Sequence, residues 1–190
     1  MKEFELARKA LLEHKIIAFP TDTVIGIGVN GLDQLAVEKL FALKNRPFEK
    51  PLSLLTYSST EILKYARLIP SYAYSLLKTY FPGPMTAVFY SDEVLYTTPF
   101  GKGTSVGVRI PNFPILLDFL AYIKMPLLAT SANVSNRPAL LTKEDVVHIF
   151  GDAVYPILFE YNVTSSNVSS TVIDCRGKAS VVLRKGEIDI

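Results

Sequence analysis

Phe19-Pro20-Thr21-Asp22-Thr23, then Val24-Ile25-Gly26-Ile27-Gly28-Val29, opens a stretch that runs on to Lys44-Asn45-Arg46-Pro47-Phe48-Glu49-Lys50-Pro51-Leu52. Between Val24 and Val29, β-branched residues alternate with glycine. That pattern predicts a strand whose glycines admit a close backbone neighbour. Asp33 is placed to cap a helix running through Ala36, Val37, Leu40 and Leu43 to about Lys44, with Pro47 ending it. Residues 52–56 return as a strand. Two hydroxyls and a carboxylate sit on a turn at one end of the stretch, and Lys44, Arg46 and Lys50 cluster at the other. A helix that folds these ends together suits an anionic ligand that also carries hydroxyls.

Working outward, residues 2–14 read as an amphipathic helix with Phe4, Ala7, Leu11 and Leu12 on one side, and 16–19 as a short apolar strand. Beyond the stretch, helices are expected at 60–68 and 71–80, the second broken by Phe81-Pro82-Gly83-Pro84. Strands follow at 85–90 and 104–110 around a Gly/Thr-rich loop, then a helix at 114–123 and a strand at 127–129. A polar loop, 130–138, leads to a helix capped by Thr142, with Glu144 and Asp145 in its first turn. Residues 154–159, 170–174 and 181–184 read as closing strands. Strands and helices interleave without repeat or linker, so one α/β domain spanning 1–190 with a mixed sheet is expected.

The totals narrow the function. The chain has 190 residues, 49% hydrophobic and 20% charged, which suits a full core and argues against disorder. A net charge of +2 is too small for general attraction to nucleic acid, so any cationic role must be local. Cys175 has no partner cysteine for a disulfide and no zinc-ligand spacing, and reads as a structural thiol. His14 and His148 stand without a nearby acid or metal-ligand spacing, and no metal site is expected in the protein itself. An acidic N-terminus and the lack of an apolar run of membrane length place the chain in the cytoplasm, away from membranes.

Several residues carry two readings each. Lys44, Arg46 and Lys50 either complement a helix dipole, worth about 0.3–1 kcal/mol, or offer a compact charge and a planar fork to a polyphosphate. Thr130-Ser131-Ala132-Asn133 is either an ordinary turn or a set of ligand contacts emerging at a strand end. Arg109, in an otherwise apolar strand, needs a carboxylate or a ligand as partner. Ser170-Thr171 and Arg184 add hydroxyls and a guanidinium at further strand ends. Gly26-x-Gly28-x-x-Gly31 matches a dinucleotide-binding pattern, but its first two glycines fall inside a strand rather than on a strand-to-helix turn, which argues against such a site.

Taken in order, Pro20-Thr21-Asp22-Thr23, Lys44-x-Arg46 with Lys50-Pro51-Leu52, Pro82-Gly83-Pro84-Met85-Thr86, Val108-Arg109-Ile110-Pro111, Ser131-Ala132-Asn133, Ser170-Thr171-Val172-Ile173-Asp174 and Arg184-x-Gly186 resemble the motifs of the YrdC family, from about Ile16 to Gly186. The resemblance implies a twisted mixed sheet, a partly open barrel flanked by helices, with a cationic cavity. It implies synthesis of threonylcarbamoyl-AMP and pyrophosphate from L-threonine, bicarbonate and ATP. A separate tRNA threonylcarbamoyl transferase would take the product, with at most a weak contact of the present chain to tRNA. Mg²⁺ would be bound mainly through ATP.

Carried over position by position, Lys44 would hold ATP phosphates and Arg46 would line the same anionic pocket. Ser131, Asn133, Arg184 and Ser105 would bind the nucleotide, and Thr21, Arg109, Ser170 and Ser53 the threonine. The sequence departs from the family at Ile25, where a tyrosine is common, and at Asn136, Ala139 and Lys185, in place of glycine, serine and proline. It resembles the short form without an extra C-terminal domain. Two rivals are a non-catalytic RNA-binding module of the same fold and an adenylating domain that uses carbamoyl phosphate.

Overall fold

The computed structural model describes residues 2–47, 49–92, 94–96, 104–162 and 164–190. Strands β1 (Ile16–Phe19) and β2 (Gly26–Asn30) pair antiparallel across the 20–25 turn, with Phe19 opposite Gly26. Gly26 has to be a glycine, because a Cβ there would lie 2.8 Å from the Phe19 ring. Both expected strand glycines thus permit close approach, and neither lies on a strand-to-helix turn.

Helix α2 (Gln34–Lys44) starts where Asp33 Oδ1 accepts the Ala36 N–H at 3.1 Å, a cap worth about 1 kcal/mol. It runs to Lys44, as expected, but the stop comes before Pro47. Asn45 adopts the left-handed conformation (φ 49°) and its N–H closes on the Phe41 and Ala42 carbonyls, two residues before Pro47. Asp33 also meets His14 through Oδ2, so His14 does have an acidic partner, supplied by the start of α2.

The remaining strands are β3 (Ser53–Leu55), β4 (Ala66–Arg67), β5 (Met85–Ser91), β6 (Ser105–Arg109), β7 (Leu127–Ser131), β8 (Val154–Pro156), β9 (Thr171–Asp174) and β10 (Val181–Arg184). The other helices are α1 (Lys2–Leu12), α3 (Ser59–Ile62), α4 (Ser71–Tyr80), α5 (Pro114–Ile123) and α6 (Lys143–Phe150). The helix expected at 60–68 stops early. Beyond Ile62 the chain turns into β4, which pairs with Ser91 and Tyr90 of β5. The strand expected to end at Ala129 continues through Ser131, because Gly26 of β2 pairs with it there. The Gly/Thr-rich loop lies largely at 97–103, outside the described residues.

All the strands join one sheet in the order β10-β9-β5-β6-β3-β7-β2-β1-β8, with β4 alongside β5. The pairs β1–β8, β3–β6 and β5–β9 are parallel and the rest antiparallel, so the sheet is mixed, and it is not closed. At β10 the register slips by one residue at Leu183, so that Val182 faces Ile173 while Arg184 faces Val172.

Alternation along the strands divides the two faces. Ile27, Leu54, Ala87, Phe89, Val106, Val108, Leu128 and Ile173 form one apolar core with α2, α4 and α6. Ile17, Phe19, Leu55, Leu127 and Ala129 form a second core on the opposite face, with α1 and α5. The helices cover this second face only on the β1–β7 side, and the rest of it is the floor of a cavity. Cys175 is buried, and burial pushes its thiol up to about 11, as befits a structural residue. Among the described residues, no helix is long and apolar enough to cross a membrane.

Candidate functional site

The cavity holds about 630 Å³, within the range of small-molecule sites. All ten site residues expected from the sequence line it: Thr21, Lys44, Arg46, Ser53, Ser105, Arg109, Ser131, Asn133, Ser170 and Arg184. Sheet register explains why segments so distant in sequence converge. Ser131 lies opposite Gly26, and Ala129 opposite Ser53, which in turn faces Gly107. Thr86, Val172 and Arg184 fall level across β5, β9 and β10.

At one end, Arg109 is buried and each of its three nitrogens donates one hydrogen bond. Its Nη2 donates to Asp22 Oδ1 at 2.6 Å, its Nη1 to Thr23 Oγ1 at 2.6 Å and its Nε to the Gly83 carbonyl at 3.1 Å. Of the two partners the sequence allowed, the carboxylate is present, on the turn between β1 and β2. Burial lowers the Arg109 pKa, while Asp22 acts to raise it. Thr21 Oγ1 donates to the Val24 carbonyl at 2.7 Å and accepts the Thr23 N–H, fixing the same turn. Ser170 Oγ meets Thr86 Oγ1 at 2.8 Å, and Arg184 Nη2 donates to the Ser170 carbonyl at 2.7 Å and to its hydroxyl at 3.2 Å.

At the other end the cations are held differently. Lys44 is 1% exposed. Its ammonium donates to the main-chain oxygens of Ser131 and Asn133 and to Asn133 Oδ1, the latter two at 2.8 and 2.7 Å. Burial first, and Arg46 second, push its pKa down to about 7, against three oxygens that favour the protonated form. Arg46 Nε donates to the Lys50 carbonyl at 2.7 Å and Nη2 to the Pro51 carbonyl at 2.9 Å. Burial, then Arg184 across the cavity, lower Arg46 to about 10. Among the described residues neither Lys44 nor Arg46 forms an ion pair, and Glu49 is the one acidic residue in the cavity lining. These two cations are met by carbonyl oxygens and, for Arg46, by the Thr130 hydroxyl at 3.3 Å and the Phe41 ring, with no carboxylate paired to either among the described residues.

The Ser131–Asn133 segment is braced as well as placed. Ala132 N–H bonds to the Ile25 carbonyl, Ser135 N–H to the Lys44 carbonyl, and Ser131 Oγ donates to Asn133 Oδ1 at 2.8 Å. Asn136 lies in the left-handed region (φ 65°) on the lining, a conformation asparagine tolerates where relatives in the family pattern have glycine. Ile25 faces away, into the core beside α2, so the position where a tyrosine is common is not on the cavity wall.

Ser53 and Ser105 sit on the floor, on either side of Gly107, where an added Cβ would meet Thr86 Cγ2 at 3.0 Å and Ser53 Oγ at 3.1 Å. Arg176 and Leu183 also line the cavity, and sequence reading missed both. The slip at Leu183 lets it share the Arg184 side, which strict alternation forbids. For Arg176 the only signal was its spacing from Asp174, which reads as a surface pair.

Open mixed sheet, helices on both faces and a polar cavity fed by strand-end hydroxyls and guanidinium groups define a class: an α/β protein with a cavity of small-molecule size. Comparison with known proteins makes this specific. The family model for Sua5, YciO and YrdC, described as telomere recombination, matches residues 9–186, and the chain belongs to that family. A threonylcarbamoyl-AMP synthase of Pyrococcus abyssi is 34% identical over 99% of the chain, and one of Vibrio campbellii 32% identical over 98%. The chain spans 55% of the Pyrococcus protein and 53% of a Bacillus subtilis relative, about half of each, and 100% of the Vibrio protein. Among solved structures, P. abyssi Sua5 complexed with L-threonine superposes with a TM-score of 0.88 at 35% identity, covering 96% of this chain and 54% of that one. Escherichia coli YciO superposes at 0.85 with 21% identity, covering 99% of this chain and 91% of that one, a likeness of fold.

Proposed function

We propose that this chain is a threonylcarbamoyl-AMP synthase, using L-threonine, bicarbonate and ATP. The observation that carries the reading is the convergence of all ten expected residues on one cavity with chemically distinct ends. The Arg109 end, with its charge already balanced by Asp22, offers hydroxyls and a guanidinium edge to a small zwitterion that itself bears a hydroxyl. The Lys44–Arg46 end offers unbalanced positive charge to a triphosphate.

In this mechanism the threonine amine is its own nucleophile. It takes up the carboxyl group of bicarbonate with loss of water, and a carbamate oxygen attacks the α-phosphorus. The bond to the β-phosphate breaks and pyrophosphate leaves. Arg46 and Arg184 stabilise charge on the phosphates, and Lys44 fixes the Ser131–Asn133 segment against them. Burial of the carbamate in the cavity keeps water from it. Magnesium, when bound, neutralises the triphosphate. Among the described residues no cluster of three or more His, Cys, Asp or Glu side chains is placed to hold a metal, so the donor set suits a cation carried in by ATP. The product would pass to a transferase that modifies tRNA.

The test is incubation with ATP, Mg²⁺, labelled bicarbonate and each amino acid in turn. Label is expected in an adenylate with threonine alone. Label with carbamoyl phosphate in place of bicarbonate and threonine, or none at all, overturns the reading.

A further inference from the structure

At the outer end of the cavity, away from Arg109, one arginine is gripped by both oxygens of a carboxylate. Arg176 Nε and Nη2 donate to the two Asp174 oxygens at 2.9 and 2.7 Å, and its N–H bonds to Asp174 Oδ1 at 3.0 Å. The pair holds the guanidinium in one orientation and cancels most of its charge. The Tyr90 ring braces it, with its centroid 5.8 Å from the guanidinium carbon. Tyr90 follows Thr86 and Val88 on the cavity side of β5, and lies opposite Ser105 in the sheet register. Arg176 itself lines the cavity with its side chain 33% exposed.

A guanidinium whose fork is occupied by a carboxylate is a poor phosphate ligand. What it retains is a flat face, and such a face stacks on aromatic rings. Val88, Val172 and Leu183 supply apolar wall between it and the cavity floor. The nearest polar floor residue in register is Ser105, and Ser131 stands at the same end of the sheet.

We propose that Arg176, oriented by Asp174 and backed by Tyr90, is the shelf on which the purine ring of the bound nucleotide stacks. This rests on the ATP-using reading above and adds the contact that distinguishes a nucleotide from a bare polyphosphate. The triphosphate points toward Arg46 and Ser131, and the base lies over Arg176 at the cavity rim.

The experiment is calorimetric titration of the full chain, as wild type, Arg176→Ala and Arg176→Lys, with ATP and separately with inorganic tripolyphosphate. Lysine keeps the charge and loses the plane, so both variants are expected to bind ATP about tenfold more weakly, the scale of base stacking. Tripolyphosphate affinity is expected to stay unchanged in both. Unaltered ATP affinity in Arg176→Ala, full affinity in Arg176→Lys, or a parallel fall for tripolyphosphate each overturns the shelf. A wild-type chain that binds no ATP overturns the underlying reading and the shelf with it, and is told apart because it needs no variant.

Discussion

The two ends of the cavity use the same residue types to opposite effect. Arg109 is neutralised inside the protein by Asp22, at 2.6 Å, in surroundings from which both are largely buried. Lys44 is as deeply placed and Arg46 half-buried, yet no carboxylate among the described residues pairs with either, and their closest partners are carbonyl oxygens. A charge balanced by a carboxylate contributes geometry, and a charge balanced by dipoles still attracts. The difference teaches which end can read a small neutral-overall ligand by shape and hydrogen bonds, and which end is held ready for a polyanion.

Removing the balance at the first end should have the largest effect. Asp22→Ala leaves Arg109 buried and unpaired, and is expected to cost about 3–5 kcal/mol of stability by denaturant unfolding. A loss below 1 kcal/mol would mean that Arg109 is not held as a charge balanced by Asp22. At the second end, Arg46→Ala removes no ion pair, so the fold should survive. Threonine-dependent pyrophosphate release should fall by at least about 100-fold, and full activity would take the phosphate role away from Arg46.

Acidity sharpens the contrast further. With Lys44 held near 7, its charge is present below that pH and lost above it. Pyrophosphate affinity measured by calorimetry should therefore be flat below about pH 7 and fall above it, by no more than about tenfold per unit. The free protein follows the linked rule. Between about 7 and the ordinary lysine value of 10.5 the unfolded chain binds the extra proton, so stability should rise with pH across that window. A Lys44→Met variant should lack that rise in thermal scans. The smallest effect is expected between the ends. Gly107→Ala adds a methyl that presses on Thr86 and Ser53, and should cost about 1 kcal/mol while weakening ligands at both ends alike. Weakening at one end alone would show that the floor is not shared.

Much of this was legible in the sequence, because local patterns and tertiary demands agree. The α5 helix occupies the span expected from its proline start and apolar periodicity, and β1 stops where Pro20 requires. Where they disagree, pairing wins. Residues 63–68 have helical composition, but the end of β5 that runs past β9, Tyr90 and Ser91, takes Ala66 and Arg67 as a strand. The same holds for Thr130 and Ser131, polar residues of turn-like character that β2 recruits into β7. The site residues were legible through the motif blocks they belong to. Their partners were not: that Arg109 meets Asp22 and Thr23, or that Lys44 faces Ser131 and Asn133, depends on the order of strands in the sheet. Arg176 left only its spacing from Asp174, because its orientation comes from Asp174 and Tyr90 together, and Tyr90 is brought there by the fold.

The two outermost strands bear on a different question, whether copies of the chain can join edge to edge. An open sheet presents unpaired backbone groups at both margins, and such margins invite fibre growth. Here β8 is short and contains Pro156, which has no N–H to offer. On β10 the extra residue at Leu183 breaks the regular spacing that an incoming strand would need. The irregularity that widens the cavity wall therefore also leaves the sheet a poor template for polymerisation.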